Sequence, residues 1–141
     1  MKKKGAVMEY SKERSDDLMR AYRDYLSSCK YIVMPEVYKA VANMPSRRFW
    51  VSDTRAALVV SAIMREGEKV LDGMWATRRE MYKEIYNRVI ELKDVFPNKS
   101  ITELCSKVVE QPAPKFYLTP DSAKILLCKI RRKIANEQKV R

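Results

Sequence analysis

Residues 112–134, PAPKFYLTPDSAKILLCKIRRKI, decide the fold, because the chain carries this pattern twice. Displaced by 67 positions, residues 36–67 fall on 103–134 without a gap. Glu36/Glu103, Val41/Val108, Pro45/Pro112, Phe49/Phe116, Ala56/Ala123, Ile63/Ile130 and Arg65/Arg132 are identical. Arg48 and Lys115, Trp50 and Tyr117, Val51 and Leu118, Ser52 and Thr119 match in kind. The shared pattern is a helix, then P-x-x-[RK]-F-[WY]-[VL]-[ST], then a second helix. Aromatic on aromatic and cap on cap, ungapped, mark an internal repeat.

Composition bounds the class. With 141 residues, 46% of them hydrophobic, the chain is long enough to bury a core and too apolar for disorder. Glycine is scarce, 33% of residues are charged, and long stretches show helical spacing, which predicts an all-α protein. No apolar run approaches the roughly 20 residues of a membrane span. The amino-terminal MKKKGAVMEY lacks the apolar core of a secretory signal, so a cytoplasmic protein without a membrane partner is expected.

Cys29, Cys105 and Cys128 are far apart and histidine is absent. Without a Cys-x-x-Cys pair or histidine ligands no metal site is expected, and three cysteines do not make a disulfide framework. The lack of histidine removes Ser-His and Cys-His catalysis, and no glycine-rich phosphate loop is present. A non-enzyme is expected, with no catalytic residue and no cofactor.

Net charge is +11. Residues 1–4 contribute +3, residues 8–67 +2, residues 68–114 zero and residues 115–141 +6. A basic stripe on a terminal helix fits a polyanion binder, although a solvated surface explains charge equally well.

In chain order, residues 1–10 read as a flexible basic arm. A first helix from Ser11 or Ser15 to Cys29 has Leu18, Tyr22, Tyr25 and Leu26 on one stripe. Pro35 opens a second helix ending near Asn43. After the loop, Ser52 caps a third helix with Ala56, Val59, Val60 and Ile63 inward, and Gly67 stops it. Residues 67–76, GEKVLDGMWA, read as a packed apolar hinge between halves. Thr77 and Glu80 form a capping-box pattern for a fourth helix to Val95, and Ser100 and Glu103 a second one for a fifth. Thr119 caps the sixth helix, with Pro120 first and Ala123, Leu126, Leu127, Ile130 and Ile134 inward. The first and fourth helices align at an offset near 60, Tyr22 on Tyr82. The expected architecture is therefore all-α: two pseudo-symmetric three-helix repeats packed into one compact unit. The first spans 11–67 and the second 77–136, joined by the hinge 68–76 and followed by a basic tail, 137–141.

Each repeat resembles the helix-turn-helix of DNA-binding proteins, with 36–42 and 103–109 as supporting helices and 52–65 and 119–133 as recognition helices. The turn departs from that motif, being nearer eight residues than the usual 3–4, with proline and without glycine. The resemblance implies double-stranded DNA as partner. Asp121, Ser122 and Lys124 would approach base edges, and Arg131, Arg132 and Lys133 the phosphates, with Lys129 also on an outward face. Arg55 is the counterpart on the third helix. Arg47, Arg48 and Lys115 would face phosphate from the loops, with Phe49 and Phe116 read as core and a base-stacking platform as the other reading. Mixed basic and aromatic residues on the fourth helix are explained by i,i+4 pairs such as Glu84 with Arg88. The expected role is regulation or DNA handling, as in a mobile element. The alternative is a structural or adaptor protein that meets a second copy or another protein through the apolar hinge at Met74 and Trp75.

Overall fold

The computed structural model describes the backbone of residues 2–140 and the side chains of residues 11–139; Met1 and Arg141 fall outside the described residues. The described residues hold six α-helices and no strand: α1 (Lys2–Ser28), α2 (Met34–Ala42), α3 (Asp53–Glu66), α4 (Ala76–Val95), α5 (Ile101–Val109) and α6 (Pro120–Val140). A 3-10 turn, Glu68–Leu71, joins α3 to the approach of α4. The protein is all-α, as its periodicity predicts.

Three helix starts follow their caps. Ser52 Oγ accepts the Arg55 N–H at 3.1 Å, Ser100 Oγ accepts that of Glu103 at 3.2 Å, and Thr119 Oγ1 accepts that of Ser122 at 3.1 Å. Each satisfies one of the amide donors that a helix start leaves without an intrahelical acceptor. Gly67 closes α3 with φ 87°, a conformation that suits a residue without Cβ.

Other boundaries differ from expectation. Residues 2–10 belong to α1 rather than to a separate arm, so neither Ser11 nor Ser15 is a cap. Lysine, alanine, methionine and glutamate favour helix, and the single Gly5 costs only about 1 kcal/mol, so nothing there breaks the helix. Residues 137–140 likewise extend α6 instead of forming a tail, because no breaker follows Ile134. Thr77 lies inside α4, which is entered from the extended Trp75; the Arg79 N–H donates to the Trp75 carbonyl at 2.9 Å.

The helices group in an order the repeat did not suggest. One compact unit comprises Met1–Ser46 with Pro114–Arg141, the other Arg47–Ala113. In the first, α6 packs on α2 and α1; in the second, α3 packs on α5, α4 and the 3-10 turn. The division thus differs from 11–67 and 77–136: each half of the chain gives its third helix to the other half. Residues 68–76 are accordingly no hinge between units but part of the second, where Leu71 is buried. A local reason is visible in the second unit. The Phe49 N–H donates to the Val109 carbonyl at 2.9 Å, which ties the segment before α3 to the end of α5.

Each unit has its own core. In the first it is built from Leu18, Ala21, Tyr22, Val37, Val41, Phe116, Ala123 and Leu127. In the second it is built from Phe49, Val60, Ile63, Leu71, Tyr82, Ile85, Val89, Leu104 and Val108. Full burial of one such large apolar side chain contributes about 1.5–3 kcal/mol, so these stripes hold the units together. Phe49 and Phe116 are core, as read.

Helix bounds repeat at the sequence offset. The starts of α2 and α5 (34, 101), their ends (42, 109), the starts of α3 and α6 (53, 120) and the ends of α1 and α4 (28, 95) are each 67 apart. The offset near 60 for α1 and α4 is therefore replaced by 67, which sets Leu18 on Ile85 and Tyr22 on Val89. A polar clamp recurs with it. In the first unit Arg20 donates from Nε to Asp17 Oδ1 at 3.1 Å and from a terminal nitrogen to the Pro45 carbonyl at 3.2 Å. In the second, Arg88 reaches Glu84 Oε2 at 2.8 Å and the Pro112 carbonyl at 2.9 Å. Asp17 and Glu84, and Pro45 and Pro112, are again 67 apart.

Candidate nucleic-acid interface

A row of exposed cations lies on α6, and its local sequence explains why. Thr119 caps the helix, Pro120 has its φ preset at the first position, and Asp121 complements the positive helix end. Ala123 and Leu127 are buried, and Leu126, Ile130 and Ile134 are half-buried against the first unit. That leaves Lys124, Lys129, Arg131, Arg132, Lys133 and Lys139 exposed. The Arg131 guanidinium lies 5.8 Å from the Tyr22 ring centroid, a cation–π contact with α1. Among the described residues, no ion pair engages Lys124, Lys129, Arg132 or Lys133.

Beside this surface an open groove of about 290 Å³ runs between α1 and α6. Met19, Tyr22 and Ile134 line it with apolar surface, and Arg23 and Arg131 line it with charge. On the α2 side, Tyr38 lies beside Cys128 of α6. Burial first, then that thiol, pushes the Tyr38 phenol above its ordinary value.

The expected site residues do not all share this surface. Lys115, Ser122, Lys124, Lys129, Arg131, Arg132 and Lys133 belong to the first unit; Arg47, Arg48 and Arg55 belong to the second. Arg55 is exposed on α3 and Arg47 is exposed in the preceding loop. Arg48 turns inward along its own loop: Nε donates to the Phe49 carbonyl at 3.1 Å and a terminal nitrogen to the Val51 carbonyl at 3.3 Å. Its guanidinium also lies 5.3 Å from the Trp50 centroid. It braces the loop. Lys115 is half-buried with its ammonium 5.9 Å from the Tyr117 centroid, where the backbone is left-handed at φ 59°. Ser122 is taken up by the cap, its hydroxyl accepting from Thr119 Oγ1 at 3.0 Å. The fourth helix carries the expected Glu84–Arg88 pair, and Arg88 also lies 4.9 Å from the Phe49 centroid.

Two cations of the first unit were missed by the sequence reading. Arg23 reaches the α1–α6 groove, and Lys139 continues the α6 row beyond Lys133. The seven-residue spacing from Arg132 was the available signal for Lys139. Among the described residues no helix is long and apolar enough to cross a membrane. No family model, no curated protein and no solved structure matches this chain.

Proposed function

We propose that the protein binds double-stranded DNA through the first unit, with α6 supplying the phosphate contacts. One observation carries this reading: the exchange of third helices concentrates the charge. By sequence halves, 1–67 carries +5 and 68–141 carries +6. By compact units, Met1–Ser46 with Pro114–Arg141 holds 17 basic and 8 acidic residues, net +9; Arg47–Ala113 holds 12 and 10, net +2. A surface that gathers most of the cation of a chain onto one unit, with exposed ammonium and guanidinium groups along one helix, suits a phosphate backbone. The supporting helix for α6 is then α2 rather than α5. Recognition is mainly of phosphates, since Ser122 is spent on its cap. The role proposed with such a partner is regulatory or DNA-handling, in the cytoplasm.

The test is duplex binding by fluorescence anisotropy across a salt series. Affinity should fall steeply with salt, because each neutralised phosphate contributes about −0.9 to the slope of log K against log salt. The Arg131/Arg132/Lys133→Ala variant should bind at least tenfold more weakly at low salt and lower that slope by about 2–3. Affinity independent of salt, or an unchanged slope in the variant, rejects the proposal.

A second reading, an adaptor that meets a protein partner, is favoured by exposed apolar residues. Tyr31 is 85% exposed, with Ile32 and Val33 beside it in the α1–α2 connection, and Trp75 is 82% exposed at the start of α4. A stable complex or oligomer that is indifferent to DNA in analytical ultracentrifugation would select this reading.

A further inference from the structure

The second unit contains a like-charge cluster that DNA binding by α6 does not use. The ammonium groups of Lys99 and Lys107 each lie 4.9 Å from the centroid of the same ring, that of Phe96. We propose that Lys99 and Lys107, over Phe96, form a binding site for a dianionic phosphate group.

The site is held by its backbone. The Lys99 N–H donates to the Phe96 carbonyl at 3.2 Å, closing the turn after α4, and Lys93 Nζ donates to the Lys99 carbonyl at 3.0 Å. Ser100 then caps α5, which sets Lys107 two turns into that helix. Lys99 and Lys107 are therefore brought to one ring by the α4–α5 turn. Phe96 attracts both cations through its ring quadrupole but supplies no net charge. Glu103, the acid one turn before Lys107 on α5, faces Ser100, whose hydroxyl donates to its Oε1 at 3.4 Å. The neighbouring Lys99 ammonium holds the Lys107 ammonium below the ordinary lysine range, against the opposing pull of the Glu103 carboxylate. Crowded ammonium groups of this kind are relieved by one group that carries two negative charges and several acceptor oxygens. A carboxylate has one charge; a phosphate dianion has two and accepts from both ammonium groups at once. The ligand is free phosphate or the terminal phosphate of a nucleic acid, which share that chemistry.

The site stands independently of the reading for α6, because it is tested without DNA. Inorganic phosphate is titrated into the full-length protein, with the Lys Nζ resonances followed by NMR and sodium chloride at equal ionic strength as control. Lys99 and Lys107 should shift with saturation in the millimolar range, more than any lysine of α6. Lys107→Gln should weaken the titration at least tenfold, and Lys107→Arg should largely retain it. Both substitutions are on an exposed helix position, so the fold is kept. Equal shifts with chloride, or an unchanged titration in Lys107→Gln, overturn the proposal. A 5′-phosphorylated duplex that binds more tightly than its unphosphorylated form, with the difference lost in Lys107→Gln, identifies the terminal phosphate as ligand. Equal binding of the two duplexes, with the phosphate titration intact, identifies free phosphate.

Discussion

Cys105 lies in α5 with its side chain fully buried, facing the core of the second unit. Burial, assisted by the Asp53 carboxylate at the start of α3, pushes its thiol from 9.0 up to about 11. The neutral thiol is therefore favoured by the fold. Below pH 9 both folded and unfolded chains keep the proton, and the stabilisation is fully present. Between about pH 9 and 11 the unfolded chain releases it first, so stability falls across that window. Lysines and tyrosines titrate there too, so the informative quantity is the difference between wild type and Cys105→Ala. Urea unfolding at pH 8, 9, 10 and 11 should show a steeper decline in the wild type. Parallel slopes would remove the assignment. The half-buried Cys29 and Cys128 should be alkylated well before Cys105 at pH 8.

The recurring Arg clamp joins elements, and its two copies differ in exposure. Asp17 is 0% exposed and its other oxygen accepts from Ser46 Oγ at 3.3 Å, whereas the Glu84 side chain is 36% exposed. Removing Arg20 leaves a carboxylate in the interior with less compensation, and also frees the Pro45 carbonyl. Arg20→Ala should cost about 2–3 kcal/mol, toward the lower end for a broken buried pair because Arg20 itself is partly solvated. Arg88→Ala should cost less, about 1–2 kcal/mol, because Glu84 can be hydrated. Chemical denaturation of both variants checks the order; a smaller loss for Arg20→Ala would contradict it. The Glu84–Arg88 pair was legible as an i,i+4 pair, but the recurrence of the clamp was not, since Asp17 with Arg20 is an i,i+3 pair. The caps at Ser52, Ser100 and Thr119 were legible, because a hydroxyl reaching an amide three residues on is local chemistry. Ser11 and Thr77 misled for the converse reason: a capping residue permits a helix start without requiring one. The cationic row of α6 was visible as composition plus period. Arg48 was not separable from it, because a guanidinium serves a carbonyl as readily as a phosphate. Lys99 and Lys107 are eight residues apart across a helix start, and only the turn brings them to one ring.

At the scale of the whole chain, the repeat was legible and its pairing was not. An apolar stripe on α3 fits a partner stripe on α2 or on its repeat counterpart α5 with nearly the same residues: Val37 and Val41 in one, Leu104 and Val108 in the other. Sequence similarity between the halves therefore makes the two pairings close in composition, and the choice falls to geometry, such as the Phe49–Val109 hydrogen bond in the second unit. The consequence is mechanical. The connection from Asp72 to Trp75 is exposed at Asp72, Gly73 and Trp75, so a protease recognition sequence can be placed there. Cleavage separates α1–α3 from α4–α6 covalently, yet α6 remains seated on α2 and α1, and α3 on α5 and α4. The nicked protein should elute from a sizing column as one species with unchanged helical circular dichroism, and should separate into two fragments only in urea. Because two apolar stripes must be exposed together, loss of association and loss of helix should coincide at one urea concentration. Two compact fragments eluting apart in native buffer would mean that each repeat closes on its own third helix. The charge would then divide as +4 for 1–72 and +7 for 73–141 instead of +9 and +2, and the electrostatic support for duplex binding by the first unit would go with it.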